Sequence, residues 1–178
     1  MNKKLKLWEL DRVSESEFKE QEKFPIIVIL NDIRSLTNVG TFFRTSDAFN
    51  VQKIFLCGIT ATPPHREIQK TALGATETVS WEHRENIMEL VNELKADGIK
   101  VCSIEQTEET TMLQDVHKLP DDTYALVFGN EVNGVDQDVI DASDHILEIP
   151  QFGTKHSLNV SVCAGIVMWE FAKKQIRN

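Results

Sequence analysis

Short apolar runs rich in β-branched residues alternate along this chain with longer amphipathic stretches, and this alternation restricts the fold more than any other feature. The first run is Ile26–Leu30, and five more lie at residues 53–57, 78–81, 99–104, 124–128 and 145–149. Periodicity predicts helices between them, near residues 38–49, 65–72, 85–97, 109–116, 136–142 and 157–174. Strands that alternate with helices in this way form a mostly parallel sheet flanked by helices on both faces. The sequence therefore predicts an α/β domain.

The residues ahead of the first predicted strand are expected to form an appended arm. Ser14 and Glu17 have the spacing of a capping box, which predicts a short polar helix to about Glu22. We expect an N-terminal arm over residues 1–24 and one domain over residues 25–178, because no low-complexity tract or long linker divides the rest. The last predicted helix is apolar on nearly every face, so it should be covered on two sides. One cover is the sheet, and the other is either the rest of the monomer or a second subunit.

Charge is distributed unevenly along the chain. The 178 residues contain 19 Lys and Arg against 28 Asp and Glu, a formal net charge of −9, which by itself argues against a nucleic-acid partner. Residues 76–148, however, hold four bases and eighteen acids, a balance of −14, so the rest of the chain carries +5. A polyanionic partner is therefore disfavoured by the composition but not excluded.

Several classes of protein have no support in the sequence. No apolar run approaches the roughly 20 residues of a membrane helix, and the basic N-terminus is followed by acids, unlike a secretion signal. Cys57, Cys102 and Cys163 are widely spaced, which favours reduced thiols and a cytoplasmic location. The five histidines lack metal-ligand spacing, so no metal is expected. No dinucleotide fingerprint, Walker loop or nucleophile elbow occurs.

Ligands of parallel sheets bind beyond the carboxyl ends of the strands, so the loops after the strands are where a site is expected. In the first such loop, Asn38 and Gly40 lie at a predicted helix start and Arg44 lies about one turn further. Free backbone N–H groups at a helix start favour anions, and a guanidinium can pair with a phosphate or a carboxylate. The alternative is that Asn38 caps the helix and that Arg44 is solvated or ion-paired.

The loop after the strand at 124–128 is rich in glycine. Gly129 permits a close backbone approach, and Asn133-Gly134 is a strong turn signal. Glu131 lies between them. Its carboxylate either accepts hydrogen bonds from a ligand or anchors a neighbouring loop.

Polar residues cluster again after the strand at 145–149. Pro150 ends that strand, and either Ser157 or Asn159 can cap the last helix. A cap needs one polar residue, yet Ser157, Asn159 and Ser161 all occur within five positions. The surplus of polar groups beside a buried helix predicts a site.

Taken in order, these three loops resemble the signature motifs of the SPOUT class of RNA methyltransferases, specifically its TrmH/SpoU branch. The first motif resembles Asn38-x-Gly40-x-x-x-Arg44, the second Gly129-x-Glu131-x-x-Gly134, and the third Ile149-Pro150 with Ser157-Leu158-Asn159-Val160-Ser161. The third departs from the common pattern in having Gln151 where Met is more frequent. The resemblance spans residues 26–172 and implies a deep trefoil knot in the C-terminal part of the domain. Periodicity alone predicts no knot, because knots are almost absent from proteins.

The resemblance also implies an activity: an S-adenosylmethionine-dependent enzyme that methylates a ribose 2′-hydroxyl of RNA, as a homodimer and without a metal. The cofactor contacts of similar enzymes map to Ile104, Gly129, Ile149, Ser157 and Leu158. By the same analogy, Arg44 is the residue closest to the role of assisting loss of the hydroxyl proton. It acts either as a literal base, which the substrate phosphate or another group would have to perturb, or by fixing a phosphate and stabilising the developing alkoxide, which we favour. The remaining motif residues are expected to hold the loops and to orient Arg44 and the cofactor: Asn38, Glu131, Ser157 and Asn159.

A tRNA is the leading expectation for the substrate, in particular the D-loop guanosine, with ribosomal RNA as the main alternative. Because similar enzymes carry an RNA-binding domain or a basic tail that has no evident counterpart here, RNA affinity is expected from the dimer's own surface around Arg44. An alternative of a different class is an RNA-binding or ribosome-assembly protein that has lost methyl transfer, although the intact motif residues argue against it. A small-molecule oxidoreductase is remote, since the glycine fingerprint is missing.

Overall fold

Seven strands form one parallel sheet in the computed structural model, which describes residues 2–177. The strand order is β3-β2-β1-β6-β4-β7-β5, and every neighbouring pair is parallel. The strands are β1 Phe24–Asn31, β2 Val51–Cys57, β3 Trp81–Arg84, β4 Lys100–Ile104, β5 Thr111–Met112, β6 Tyr124–Phe128 and β7 His145–Glu148. The predicted parallel sheet is confirmed.

Helices cover both faces of this sheet. They are α1 Glu15–Glu20, α2 Leu36–Ala48, α3 Arg66–Ala72, α4 Ala75–Thr78, α5 Ile87–Ala96, α6 Gln137–Ala142 and α7 Val160–Arg177. Short 3-10 segments lie at residues 7–9 and 113–118. Helices α2, α3 and α7 pack on one face, and α5 and α6 pack on the other.

Strand β1 joins the two hydrophobic layers, because its side chains point alternately to opposite faces. Ile26, Val28 and Leu30 belong to the layer beneath α2 and α7, whereas Ile27 and Ile29 belong to the layer beneath α5 and α6. All five are at most 4% exposed. A strand buried on both faces reads as a continuous apolar run, which is why this element is evident from the sequence.

The arm is anchored to the domain by one aromatic residue. Ser14 and Glu17 form the predicted capping box at the start of α1. Phe18 then inserts into the layer that contains α2 and α7, and Gln21 and Lys23 hydrogen-bond the side chain of Asn50. The boundary between an arm over residues 1–24 and a domain over residues 25–178 stays a prediction.

Three predicted elements are wrong at least in part. The strand expected at 78–81 begins only at Trp81, because Thr78 ends helix α4 and its hydroxyl donates to Asp47 on α2 at 2.6 Å. The helix expected at 109–116 is replaced by β5, which pairs with β7, and then by a 3-10 segment. The last helix begins at Val160 instead of residue 157. Tertiary contacts override local propensity in the first two cases.

Candidate functional site

The predicted loops meet at one end of the sheet, around a cavity of about 690 Å³. The loops after β4, β6 and β7 and the first turn of α7 form its wall. All five residues that were expected to contact a cofactor line it: Ile104, Gly129, Ile149, Ser157 and Leu158. Glu131 and Asn159 line it too, whereas Asn38 and Arg44 do not. The sheet thus brings most of the predicted site residues to one place.

A chain of side-chain hydrogen bonds links the three motif loops. The Nδ2 amide of Asn159 donates to Oδ1 of Asn38 at 3.3 Å, and Nδ2 of Asn38 donates to Oε1 of Glu131 at 2.8 Å. Asn38 is buried between its two partners. Residues separated by more than 90 positions are therefore held as one unit beside the cavity.

Glu131 is the anion at the start of helix α2. Its carboxylate accepts the backbone N–H groups of Arg34 at 3.0 Å and Ser35 at 3.1 Å, in addition to the amide of Asn38. Ser35 is the N-cap of α2, so the alternative that Asn38 caps this helix is wrong. Desolvation raises the pKa of Glu131, but these hydrogen bonds outweigh it and lower the pKa below its usual value. The carboxylate therefore anchors a neighbouring loop, one of the two predicted roles.

Asn159 has a second function, as the cap of α7. Its Oδ1 atom accepts the backbone N–H groups of Ser161 at 2.9 Å and Val162 at 3.3 Å, and also the hydroxyl of Ser161. The three polar residues of this segment are therefore used differently. Asn159 and Ser161 build the cap, whereas Ser157 lies before the helix and lines the cavity.

Two glycines shape the loop after β6. A Cβ atom on Gly129 would lie 1.9 Å from the backbone of Gly134, so no larger residue fits there. Gly134 has a φ of +73°, in the left-handed region that favours glycine. The N–H and C=O groups of Asn130 and Gly134 pair at 3.0 and 3.1 Å, which closes the predicted turn. The loop is compact and places Glu131 at its tip.

Helix α2 packs against α3 at unusually short range. A Cβ atom on Gly40 would lie 2.0 Å from Oγ1 of Thr71 and 2.3 Å from the carbonyl oxygen of Ile68. The Thr71 hydroxyl also donates to the carbonyl oxygen of Thr37 at 3.1 Å. Gly40 in the first motif is therefore required for helix packing, because only a residue without a side chain permits this contact.

Arg44 lies on helix α2 four residues beyond Gly40, so the two residues lie on the same side of the helix. It is exposed, and it lies six positions after Asn38, about 9 Å along the helix axis. Within residues 2–177, no hydrogen bond or ion pair engages its guanidinium. The structure does not bring Arg44 to the cavity of its own chain.

The loop before α2 and helices α2 and α3 carry several exposed cations. We use the term α2–α3 surface for the exposed side chains of Arg34, Arg44, Arg66 and Lys70. Of these, Lys70 has a carboxylate partner in the described part of the chain, Glu67 at 4.0 Å. Such a surface is suited to phosphate groups.

Glu105 is a cavity residue that sequence reasoning missed. It directly follows strand β4, so its place in a post-strand loop could have indicated it. No glycine marks this segment, however. Its Oε2 atom accepts the N–H of Val135 at 3.0 Å, and its Oε1 atom accepts the N–H of Gln106 at 2.9 Å. A third carboxylate of the cavity, Glu148, accepts the hydroxyl of Thr110 at 3.0 Å.

Two kinds of feature are absent from residues 2–177. No group of three or more His, Cys, Asp and Glu side chains there is arranged to hold a metal ion. None of the helices in that range has the length and apolar character needed to cross a membrane.

Comparison with known proteins gives consistent matches. The model of the SpoU rRNA methylase family matches residues 25–169. The 23S rRNA (guanosine-2′-O-)-methyltransferase RlmB of Neisseria meningitidis is 32% identical over 152 residues, which cover 85% of this chain and 60% of that protein. A Staphylococcus aureus protein assigned to the TrmH family of tRNA/rRNA methyltransferases is 30% identical over 88% of this chain and 62% of its own length. The chain thus spans about 60% of the length of these relatives.

Solved structures match the fold. The TrmH/SpoU tRNA modifying enzyme of A. aeolicus superposes with a TM-score of 0.81 at 24% identity, covering 92% of this chain and 81% of that one. The AdoMet-bound rRNA methyltransferase of Sinorhizobium meliloti has a TM-score of 0.78 at 24% identity, covering 85% of this chain and 57% of that one.

Proposed function

The chain belongs to the SpoU rRNA methylase family, and on this premise we propose that it transfers the methyl group of S-adenosylmethionine to a ribose 2′-hydroxyl of RNA. The observation that carries the proposal is the hydrogen-bonded chain Asn159–Asn38–Glu131, which joins the three motif loops beside one cavity. The matched S. meliloti enzyme, described as AdoMet-bound, supports the cofactor. The N. meningitidis relative, named a guanosine-2′-O-methyltransferase, supports the acceptor group.

The cavity fits a cofactor of this size and character. Its volume of about 690 Å³ lies in the range of small-molecule sites, roughly 300–1,000 Å³. Its wall combines apolar side chains, such as Ile104 and Leu158, with residues of the loops that begin at Gly129 and Ile149. We propose that backbone groups of these loops and Ser157 hold the cofactor. S-adenosylmethionine supplies an activated methyl group, so the protein's task is to align the acceptor oxygen.

We assign the electrostatic role in the reaction to Arg44. A guanidinium carries a permanent positive charge, and this one is exposed on the α2–α3 surface. It would bind a phosphate of the target nucleotide and stabilise negative charge that develops on the 2′-oxygen. Asn38, Glu131 and Asn159 would fix the position of the start of α2 relative to the cavity, and thereby the position of Arg44.

We also propose a homodimer in which the acceptor ribose approaches across the subunit interface. Helix α7 supports this, because Val162, Ile166 and Trp169 form an exposed apolar stripe at helical spacing, between 39% and 54% exposed. Trp169 also contacts Phe49, with ring centroids 6.0 Å apart. A second subunit would cover this stripe. An interface there would fit the position of Arg44 outside its own chain's cavity.

Three further features are proposed on the family resemblance. A C-terminal trefoil knot would form where the loops after β6 and β7 enclose the cavity. A cytoplasmic location suits the three free cysteines, Cys57, Cys102 and Cys163. We retain tRNA, in particular the D-loop guanosine, as the leading substrate, supported by the fold of the A. aeolicus tRNA modifying enzyme. Ribosomal RNA is the second candidate, and the N. meningitidis relative favours it.

One experiment tests both the activity and the substrate. Sites of 2′-O-methylation would be mapped in total tRNA and rRNA from cells with and without the gene, and the lost site would then be restored in vitro with purified protein and S-adenosylmethionine. We expect one ribose methylation to disappear and to return. An unchanged map together with no cofactor binding by calorimetry would overturn the proposal and favour an inert RNA-binding protein.

A further inference from the structure

The cavity is negatively charged. Three carboxylates line it, those of Glu105, Glu131 and Glu148, and no Lys or Arg occurs among the described residues of its wall. Among the described residues of the wall, His156 is the one histidine. Opposite charges attract strongly in a partly desolvated site, so this lining favours a ligand with positive charge and disfavours one that carries phosphates.

Of the three carboxylates, Glu105 is the one that is held between two loops of the cavity wall, those after β4 and β6. Glu131 is turned toward the start of α2, where three donors engage it. Glu148 lies at the edge beside β5 and bonds Thr110. Glu105 is half-buried, and its Oε2 atom lies 2.1 Å from where a Cβ of Gly134 would be. The glycine at position 134 therefore leaves room for this carboxylate.

Glu105 also lies close to helix α7. Desolvation raises the pKa of the Cys163 thiol to about 12, and the negative charge of Glu105 adds to this effect. Cys163 belongs to the first turn of α7 and lines the cavity. The carboxylate of Glu105 is thus fixed by two backbone N–H groups between the loops after β4 and β6 and the start of α7.

We propose that Glu105 is a specificity-determining residue that makes the cavity bind S-adenosylmethionine more tightly than its product, S-adenosylhomocysteine. This inference rests on the proposed function. The two molecules differ only at sulfur, where the donor carries a methyl group and a positive charge that the product lacks. A fixed carboxylate stabilises the charged form and not the neutral one.

Such a carboxylate strengthens binding of the donor at some cost to the chemical step. The sulfonium charge is lost as the methyl group leaves, so a group that attracts it stabilises the bound donor more than the transition state. Glu105 would therefore help to capture the cofactor and to exchange it for spent product. Replacing it should weaken donor binding and should raise, not lower, the rate of methyl transfer at saturating cofactor.

The test is calorimetry on the full chain with three ligands: S-adenosylmethionine, S-adenosylhomocysteine and sinefungin, in which a protonated amine replaces the sulfonium. The variant Glu105→Gln keeps the side-chain size and an acceptor for Val135. We expect the dissociation constants of the two charged ligands to rise about five- to tenfold and that of the neutral product to change less than about twofold.

The matched control is Glu108→Gln, which removes the same charge from an exposed position three residues away that does not line the cavity. It should leave all three constants unchanged. Equal weakening of all three ligands by Glu105→Gln would overturn the inference, because a purely structural role does not distinguish charge. If the wild-type chain binds none of the ligands, the proposed function itself fails.

Discussion

The cavity wall and the α2–α3 surface differ in the charges that they carry. Three carboxylates and no described Lys or Arg line the cavity, whereas the α2–α3 surface exposes Arg34, Arg44, Arg66 and Lys70. A cationic methyl donor and a polyanionic acceptor need opposite electrostatic environments. The net charge of −9 describes neither region. Function in such a chain follows from the local distribution of charge, and a whole-chain sum conceals it.

The variant Arg44→Ala tests the role of the α2–α3 surface, and we expect it to have the largest effect on methylation. We expect methylation to fall at least about 100-fold, the usual result of removing one group that stabilises developing charge. Cofactor binding should change little, because Arg44 does not line the cavity. Single-turnover methylation and calorimetry would measure the two quantities. Wild-type-like turnover in Arg44→Ala would exclude the role that we assign to it.

Paired substitution of Arg66 and Lys70 by Ala tests whether the whole α2–α3 surface binds RNA. We expect about tenfold weaker RNA binding at low salt and a smaller slope of log affinity against log salt, by about 0.7–0.9 for each lost phosphate contact. Filter binding over a salt series would measure both. Lys118→Ala is the control, since Lys118 pairs with Asp115 beyond β5 and away from this surface. An unchanged slope would indicate that RNA binds elsewhere.

The variant Glu131→Ala removes the hydrogen bonds that join the loop after β6 to the start of α2. We expect it to have a smaller effect, on stability. Glu131 is exposed, so we expect the free energy of unfolding to fall by only about 1 kcal/mol, from the loss of acceptors for Arg34, Ser35 and Asn38. Denaturant unfolding would measure it. Glu131→Gln retains oxygen acceptance at one atom and should lose less stability.

The acid stability of the same pair of variants tests the charge of Glu131. Because its pKa is lowered in the folded chain, its contribution is present above the ordinary value of 4.5 and is lost as the pH falls through the folded value. The wild-type chain should therefore lose more stability than Glu131→Gln when the pH is lowered below about 4.5. Parallel acid profiles of the two proteins would mean that the carboxylate charge contributes nothing.

The sequence predicts the parallel sheet because that sheet depends on local signals, whereas the five cofactor contacts that line the cavity were expected only from the family resemblance. Buried parallel strands such as Ile26–Leu30 are continuous apolar runs, and the loops that follow them carry the polar residues. The strand order is not a local signal, and it is what brings Glu131, after β6, next to Asn38, after β1. Sequence reasoning missed Glu105 because no glycine marks the segment after β4, and its partner Val135 lies in the loop after a neighbouring strand.

The contact of Gly40 with Thr71 and Ile68 restricts how the chain can move. With the two helix backbones this close, α2 cannot rotate or slide against α3 without a steric clash. The backbone positions of Arg44, Arg66 and Lys70 are therefore held together, while their exposed side chains keep their own freedom. An RNA bound to this surface would meet charges whose attachment points do not shift, so the reach of the side chains would set which phosphate spacings fit.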